Sequence, residues 1–307
     1  MEVIAAFSDD IRDGIKGNVF DSLDKGFVSG AENLAEAIKY SVVGATENAQ
    51  VDYEAYEKTN GWWAGSPEQT INYVSCHDNL TLWDKLAISN ENDSEEDRIK
   101  MNKLASAIVF TSQGIPFIQA GEEMLRSKEM EDGTFSENSY NLPDSVNSIK
   151  WENKGNTIDV YNYYKGLIAL RKAHPAFRMT TTEEVQDNLT FLETKDEKTV
   201  AYTINNSPNG ENAESIFVAY NANTEEVVLE LPEGKWNVYV NGEKAGTEII
   251  DTVSETITVS PISAVVLMKE AGNGTGMNTT TFLVIGFAAV VVVGVVAVIV
   301  VRKSKKR

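Results

Sequence analysis

The sequence predicts an α/β fold, followed by a small antiparallel β-sandwich and a C-terminal transmembrane helix. Three observations predict it. In residues 1–180, short β-prone runs alternate with longer helical patterns. From about residue 184 the pattern changes to short alternating strands separated by turns. Residues 282–301 are then apolar without a break.

In the α/β part the most informative stretch is Ile71-Asn72-Tyr73-Val74-Ser75-Cys76-His77-Asp78-Asn79. A β-prone, apolar run ends there in an imidazole, a carboxylate and an amide. Parallel α/β barrels place their chemistry where strand ends open onto loops. A His-Asp-Asn cluster at such a point offers donors and acceptors together, as recognition of a polar ligand requires. Residues 97–110 then predict a helix with Ile99, Leu104, Ile108 and Val109 as its apolar positions, stopped by Gly114 and Pro116. Residues 115–120 read as a buried strand that ends at Gly121-Glu122-Glu123. A second helix is predicted over 157–172, with Val160, Tyr164, Leu167, Ile168 and Leu170 facing inward and His174-Pro175 ending it. Strand, helix and strand in this order suggest parallel βα units.

The sandwich occupies 181–270. Its strands are predicted at 200–204, 215–220, 226–231, 236–240, 255–259 and 264–268, with turns at Asn209-Gly210, Pro232-Glu233-Gly234 and Asn241-Gly242. The aromatics Tyr202, Phe217, Tyr220, Trp236 and Tyr239 fit its core before any binding face. Residues 271–281 read as a flexible linker, because Ala271-Gly272-Asn273-Gly274-Thr275-Gly276 has the composition of a tether. The 20 residues 282–301 would reach about 30 Å as a helix, the thickness of a bilayer core. Arg302, Lys303, Lys305, Lys306 and Arg307 follow at once and predict a basic cytoplasmic tail at 302–307, with the body outside. The chain is therefore expected in a cell membrane as a single-pass protein, on a Gram-positive surface. An exported body needs a signal, and Met1-Glu2-Val3-Ile4 does not begin one. A preceding part of the protein, truncated or encoded separately, is expected.

The formal charge is −19, and the residues before 302 carry −24. Such an acidic body excludes nucleic acid as a partner. Two histidines and one cysteine make a zinc-type cluster a poor fit, and no Walker-type phosphate loop or EF-hand loop occurs. No cofactor and no metal are expected. Cys76 reads as a small residue packed beside the strand end rather than a nucleophile. What remains is chemistry run by carboxylates.

The stretch from Ser66-Pro67-Glu68-Gln69-Thr70 through His77-Asp78-Asn79 to Thr81-Leu82-Trp83-Asp84-Lys85 resembles type I pullulanase, a debranching branch of the α-amylase superfamily of glycoside hydrolases. Phe7-Ser8-Asp9-Asp10-Ile11-Arg12-Asp13-Gly14-Ile15-Lys16-Gly17 resembles the segment around that family's sixth barrel strand. Gln113-Gly114-Ile115-Pro116-Phe117-Ile118-Gln119-Ala120-Gly121-Glu122-Glu123 resembles the eighth strand and its loop. Asn138-Ser139-Tyr140-Asn141, Pro143-Asp144 and Trp151 resemble the loop beyond it. The resemblance runs to about Lys269. It implies that residues 1–180 are the C-terminal strands of a (β/α)8 TIM barrel and that the substrate is an α-glucan cut at α-1,6 links. It makes Asp78 the acid that stabilises the distorted, oxocarbenium-like sugar, with His77 bonding the same sugar. Asn79, Tyr140, Asn141 and Asp144 would line the cleft. Trp62 and Trp63 suit either sugar stacking or packing of the loop on the barrel rim.

Retaining hydrolysis needs a nucleophile and an acid about 5 Å apart. The family's nucleophile motif, aromatic-Arg-aromatic-Asp, does not occur here, nor does the Gly-Glu followed by Trp that carries its acid. Gly121-Glu122 and Asp9-Asp10 fall in the wrong strand contexts to replace them. The expectation is a pullulanase-like chain that keeps the sugar-binding His and Asp, lacks the two acids, and is inactive alone; a missing N-terminal barrel half is an expected partner. A non-catalytic surface glucan-binding or anchoring protein is the alternative. A barrel takes about 250 residues, so three of its strands should leave open edges.

Overall fold

The structure is a computed structural model, and it describes residues 4–56 and 61–271. The expected linker beyond Ala271, the span at 282–301 and the tail at 302–307 lie outside the described residues. Among the described residues no helix is long and apolar enough to cross a membrane.

The α/β part is built on three short parallel strands, β1 (Ala6–Phe7), β2 (Thr70–Asn72) and β3 (Ile115–Pro116), in the spatial order β1-β2-β3. Phe7 lies opposite Ile71, and Ile71 opposite Ile115. Helical segments follow each strand, as parallel connections require. After β1 come α1 (Asp9–Lys16) and α2 (Ala35–Val42); after β2, α3 (Leu82–Ser89) and α4 (Glu95–Thr111); after β3, α5 (Asp144–Asn147), α6 (Asn153–Asn156) and α7 (Ile158–Ala173). Ser8, Thr81 and Ser94 cap α1, α3 and α4, each side-chain oxygen accepting from the backbone N–H three residues on. Acidic first turns, Asp9-Asp10 and Glu95-Glu96-Asp97, complement the helix dipoles.

Two expectations change here. The strand expected to run from Ile71 up to His77 and the one expected over 115–120 stop at Asn72 and Pro116, extended by single bonds from Ser8 N to the Ile71 carbonyl and from Phe117 N to the Asn72 carbonyl. The cause is the neighbour: Ser8 already caps α1, so β1 offers Tyr73 and Val74 no partner. The strand expected to be buried at 115–120 is also partly open, with Ile115 43% and Phe117 37% exposed.

α4 is buried from Met101 to Thr111 and packs against α7 on one side and the β-rich part on the other. Arg171 on α7 is buried at its C terminus, donating to the carbonyls of Phe110 (2.8 Å), Ser112 (2.7 Å) and Gly114 (2.6 Å). A cation at that end satisfies carbonyls the helix leaves free and aims the chain into β3.

The β-rich part begins after helix α8 (Thr182–Asn188). It contains β4 (Leu189–Leu192), β5 (Thr199–Asn205), β6 (Ala213–Asn221), β7 (Val227–Glu230), β8 (Trp236–Val240), β9 (Asp251–Val253), β10 (Thr256–Val259) and β11 (Ser263–Glu270). A six-stranded sheet, β4-β5-β6-β11-β8-β9, faces a two-stranded one, β10-β7, and every pairing is antiparallel. The expected sandwich strands are all present; β4, β9 and α8 are additional. Ala201, Phe217, Ala219, Trp236, Val238, Val265 and Leu267 fill the space between the sheets with Leu231 and Val259. The opposite face, with Tyr202, Ile204, Val218, Tyr220, Val266 and Met268, shares one core with the helices. Because both faces of β6 and β11 are covered, their sequences read Ile-Phe-Val-Ala-Tyr and Ala-Val-Val-Leu-Met rather than alternating. At Gly166 on α7 a side chain would meet the Ala245 carbonyl at 1.9 Å, so glycine permits this close approach of helix and sandwich loop. Of the aromatics expected in the core, Tyr202, Phe217, Tyr220 and Trp236 are fully buried, and Tyr239 is half-buried against the His174 ring.

Candidate functional site

The loop after β2 is buried at both ends and exposed at its tip. Val74 and Ser75 are buried at its start, Leu80 and Thr81 at its end, where Thr81 caps α3. Between them His77 and Asp78 project outward, their side chains 88% and 69% exposed. Asn79, half-buried, takes the left-handed backbone conformation (φ 62°), which turns the chain back toward α3 and which asparagine tolerates. Cys76 is half-buried. His77 Nε2 lies 3.3 Å from Asp78 Oδ2. The pair leaves one ring nitrogen and most of the carboxylate facing solvent, a donor and acceptor set suited to adjacent hydroxyls.

The remaining candidates sit on the loop after β3. Tyr140, Asn141 and Asp144 are exposed, and Asp144 opens α5. Asn147 Nδ2 ties this loop together by donating to the carbonyls of Ser139 (2.6 Å) and Leu142 (3.0 Å), while Arg126 Nη2 donates to the Asn147 carbonyl at 2.7 Å. Among the described residues, none of the three bonds to His77 or Asp78. The two loops meet instead at Lys128, whose N–H donates to Asp84 Oδ2 at 2.8 Å and whose Nζ donates to the His77 carbonyl at 2.9 Å. Lys128 was not a sequence candidate, and its isolated position in a polar loop carries no periodic signal.

The two acidic pairs considered as substitutes take other roles. Glu122 is 4% exposed and accepts from Ser75 Oγ at 2.6 Å and Tyr164 Oη at 3.2 Å, so it supports the loop from beneath rather than facing a ligand. Asp9 Oδ1 accepts from Arg12 Nη1 (2.8 Å) and from Tyr73 Oη (2.6 Å), and Arg12 Nε donates to Asp13 Oδ1 (2.7 Å). Burial and the neighbouring Asp13 and Asp9 push the Asp10 carboxyl up. Beside this cluster Phe7, Tyr73 and Phe117 meet edge to face, with ring centroids 4.9 Å (Phe7–Tyr73) and 5.1 Å (Phe7–Phe117) apart. Phe7 is 47% exposed, so one side of the parallel sheet presents an aromatic surface without cover among the described residues.

Trp62 and Trp63 are 49% and 42% exposed, and Trp62 packs edge-on against Tyr53 at 5.5 Å. A groove of 730 Å³ lies beside the loop, lined by Leu23, Leu80, Met130 and Phe135 among others. Among the described residues no group of three His, Cys, Asp or Glu side chains is placed to hold a metal ion. The site as described can therefore bind and orient a hydroxylated ligand, and the one carboxylate it presents beside the imidazole belongs to Asp78.

Comparison with known proteins places this geometry in context. A family model described as "Pullulanase, all-beta domain" matches residues 185–244. The pullulanase of Bacillus subtilis (strain 168) is 31% identical over 272 residues, covering 87% of this chain and 35% of that protein. Pullulanase A of Streptococcus pneumoniae serotype 4 is 26% identical, covering 68% of this chain and 19% of that protein. Among solved structures, a pullulanase from Bacillus acidopullulyticus is similar with a TM-score of 0.77 and 43% identity, covering 87% of this chain and 30% of its own length. The pullulanase from Paenibacillus barengoltzii in complex with maltohexaose and alpha-cyclodextrin is similar with a TM-score of 0.77 and 39% identity, covering 87% of this chain and 39% of its own. The chain thus spans about a third of the length of the pullulanase of Bacillus subtilis.

Proposed function

We propose, because this chain belongs to the pullulanase family, that it binds α-glucan through His77 and Asp78 as the C-terminal portion of a debranching glycoside hydrolase. The observation that carries this reading is the outward-facing His77–Asp78 pair, 3.3 Å apart, on the loop that follows the central parallel strand. Two relatives solved with maltohexaose or maltotetraose support an α-glucan as the ligand class.

In this reading β1, β2 and β3 are consecutive strands of an α-amylase-type barrel. Their parallel order, the helices between them and the uncovered rings of Phe7 and Phe117 support it, since those rings would face the barrel's other strands. Asp78 then stabilises the positive charge that develops on the sugar ring, while His77 donates to a hydroxyl of the same residue. Tyr140, Asn141 and Asp144 line the rim of the cleft. The nucleophile and the acid come from the barrel strands this chain does not contain, so the chain alone binds without cutting. α-1,6 links are the expected target. Residues 282–301 anchor the protein in a membrane, with the body outside.

Affinity electrophoresis of the full chain in gels containing pullulan tests the reading. Retardation that Asp78→Ala abolishes is the expected result; equal mobility of both in the presence and absence of pullulan would sink it. Release of reducing sugar by the chain, lost in Asp78→Ala, would keep the site and refute the absence of catalysis.

A further inference from the structure

Three ionisable side chains that face away from the proposed sugar hold the loop bearing His77 and Asp78. At its start, Ser75 Oγ donates to Glu122 Oε2 at 2.6 Å. At its tip, Lys128 Nζ donates to the His77 carbonyl at 2.9 Å. At its end, Lys16 Nζ donates to the Leu80 carbonyl at 3.3 Å. Lys16 comes from the last turn of α1, and Glu122 and Lys128 from the loop after β3. All three residues are buried, Lys16 1%, Lys128 2% and Glu122 4% exposed.

Placing ionisable groups there is costly, and well-packed apolar residues would serve stability as well or better. Each of the three bonds instead goes to a neutral group of this one loop, before, at and after the exposed pair. We propose that Glu122, Lys128 and Lys16 are positioning residues that set the placement of His77 and Asp78, and so the affinity of the loop for glucan. This rests on the reading of His77 and Asp78 as glucan-binding.

The surroundings make the support titratable near neutral pH. Burial pushes the Glu122 carboxyl up to about 7, against the bonds from Ser75, Tyr164 and the Gln119 backbone and the charge of Lys16. Burial and Arg12 pull Lys16 down to about 8, against the charges of Glu122, Asp13 and Cys76. Burial and Arg126 pull Lys128 below its ordinary range, against Asp84, Asp78 and Cys76. As pH rises past 8, Lys16 loses its charge and the bond to Leu80 is no longer charge-assisted. Glucan affinity should weaken in the same interval.

The test uses the full chain in mild detergent with maltotetraose as the probe, by calorimetry at several pH values between about 7.5 and 9.5, the interval that brackets the discharge of Lys16. Wild type should lose affinity several-fold across this interval as Lys16 discharges. Lys16→Met should bind about tenfold more weakly at pH 7.5 and vary little with pH from there. Lys128→Met should bind about tenfold more weakly and Lys128→Arg should recover most of the loss. In the ligand-free protein the His77 ring resonances, identified by their absence in His77→Gln, should shift in Glu122→Gln and in Lys128→Met while those of His174 stay in place. Wild-type affinity that is flat with pH, or variants that bind as wild type with unmoved His77 resonances, would overturn the proposal. If wild type does not bind maltotetraose and Asp78→Ala changes nothing, the glucan reading fails; unmoved His77 resonances without that failure refute the positioning alone. The affinity measurement on wild type needs no substitution in the loop's support, so a variant that does not fold leaves the pH dependence as the deciding result.

Discussion

The two sheets of this chain face opposite situations. In the sandwich, β6 and β11 are covered on both sides, by the β7–β10 pair on one and by α4 on the other. In the α/β part, β1 and β3 are edges, and Phe7, Ile115 and Phe117 remain between 37% and 47% exposed. The sandwich completes its own core with apolar side chains. The parallel sheet carries its helices on one side, leaves aromatic rings open on the other, and holds its loops with buried charge. The exposed His77–Asp78 pair belongs to the second region, where a ligand can reach it. Finished packing and an open surface are thus divided between two parts that share one core.

The difference can be broken or sharpened by measurement. The largest effect is expected at the centre of the sandwich: Trp236, 1% exposed and edge-on to Phe217 at 6.2 Å, should cost about 3–5 kcal/mol as Trp236→Ala in urea unfolding. A loss below about 1 kcal/mol would deny that the inter-sheet core is complete. Next comes the buried charge of the other region. Folding raises the Glu122 carboxyl from 4.5 to about 7, so in that interval the folded state binds more protons than the unfolded one. Stability is therefore fullest below 4.5 and falls as pH rises to about 7, by about 3 kcal/mol from this group. Glu122→Gln should flatten that part of the stability-against-pH curve, and an unchanged slope would place the proton elsewhere. On the open face, Phe7→Ser should cost about 1 kcal/mol or less, because half of the ring is already in water. Smallest of all, Asp78→Ala should leave the melting temperature within measurement scatter, its exposed carboxylate having one bonded partner, His77, among the described residues.

Much of the secondary structure could be read from particular residues. The helix expected over 97–110 is α4 (Glu95–Thr111), stopped by Gly114 and Pro116 as read, while its start lies two residues earlier, where Ser94 caps it. The turns at Asn209-Gly210 and Asn241-Gly242 bracket strands that lie within a few residues of where alternation puts them. β9 escaped because it is three residues long, polar and at a sheet edge, and β4 because its Leu-Thr-Phe-Leu alternation spans only four residues. The strands β2 and β3 were read as longer than they are, since apolar composition continues past the point where a hydrogen-bonding neighbour ends. In the site, His77 and Asp78 were legible because they are adjacent in the chain. Glu122, Lys128 and Lys16 were not, because their significance depends on a loop they meet across the fold.

The amino-acid sequence by itself determined the two long helices and six of the sandwich strands, the acidic body, the apolar run at 282–301 and the presence of one His-Asp pair just beyond a β-prone run. Periodicity, capping and composition are properties of neighbouring residues, so they can be read along the chain. Tertiary structure alone decided that Glu122 meets Ser75, that Lys128 and Lys16 reach the His77 and Leu80 carbonyls, and that Phe7 and Phe117 pack together over the buried Tyr73 and stay open to solvent. Those pairings join residues from separate βα units, and parallel strands bring such units together through connections that no local pattern encodes.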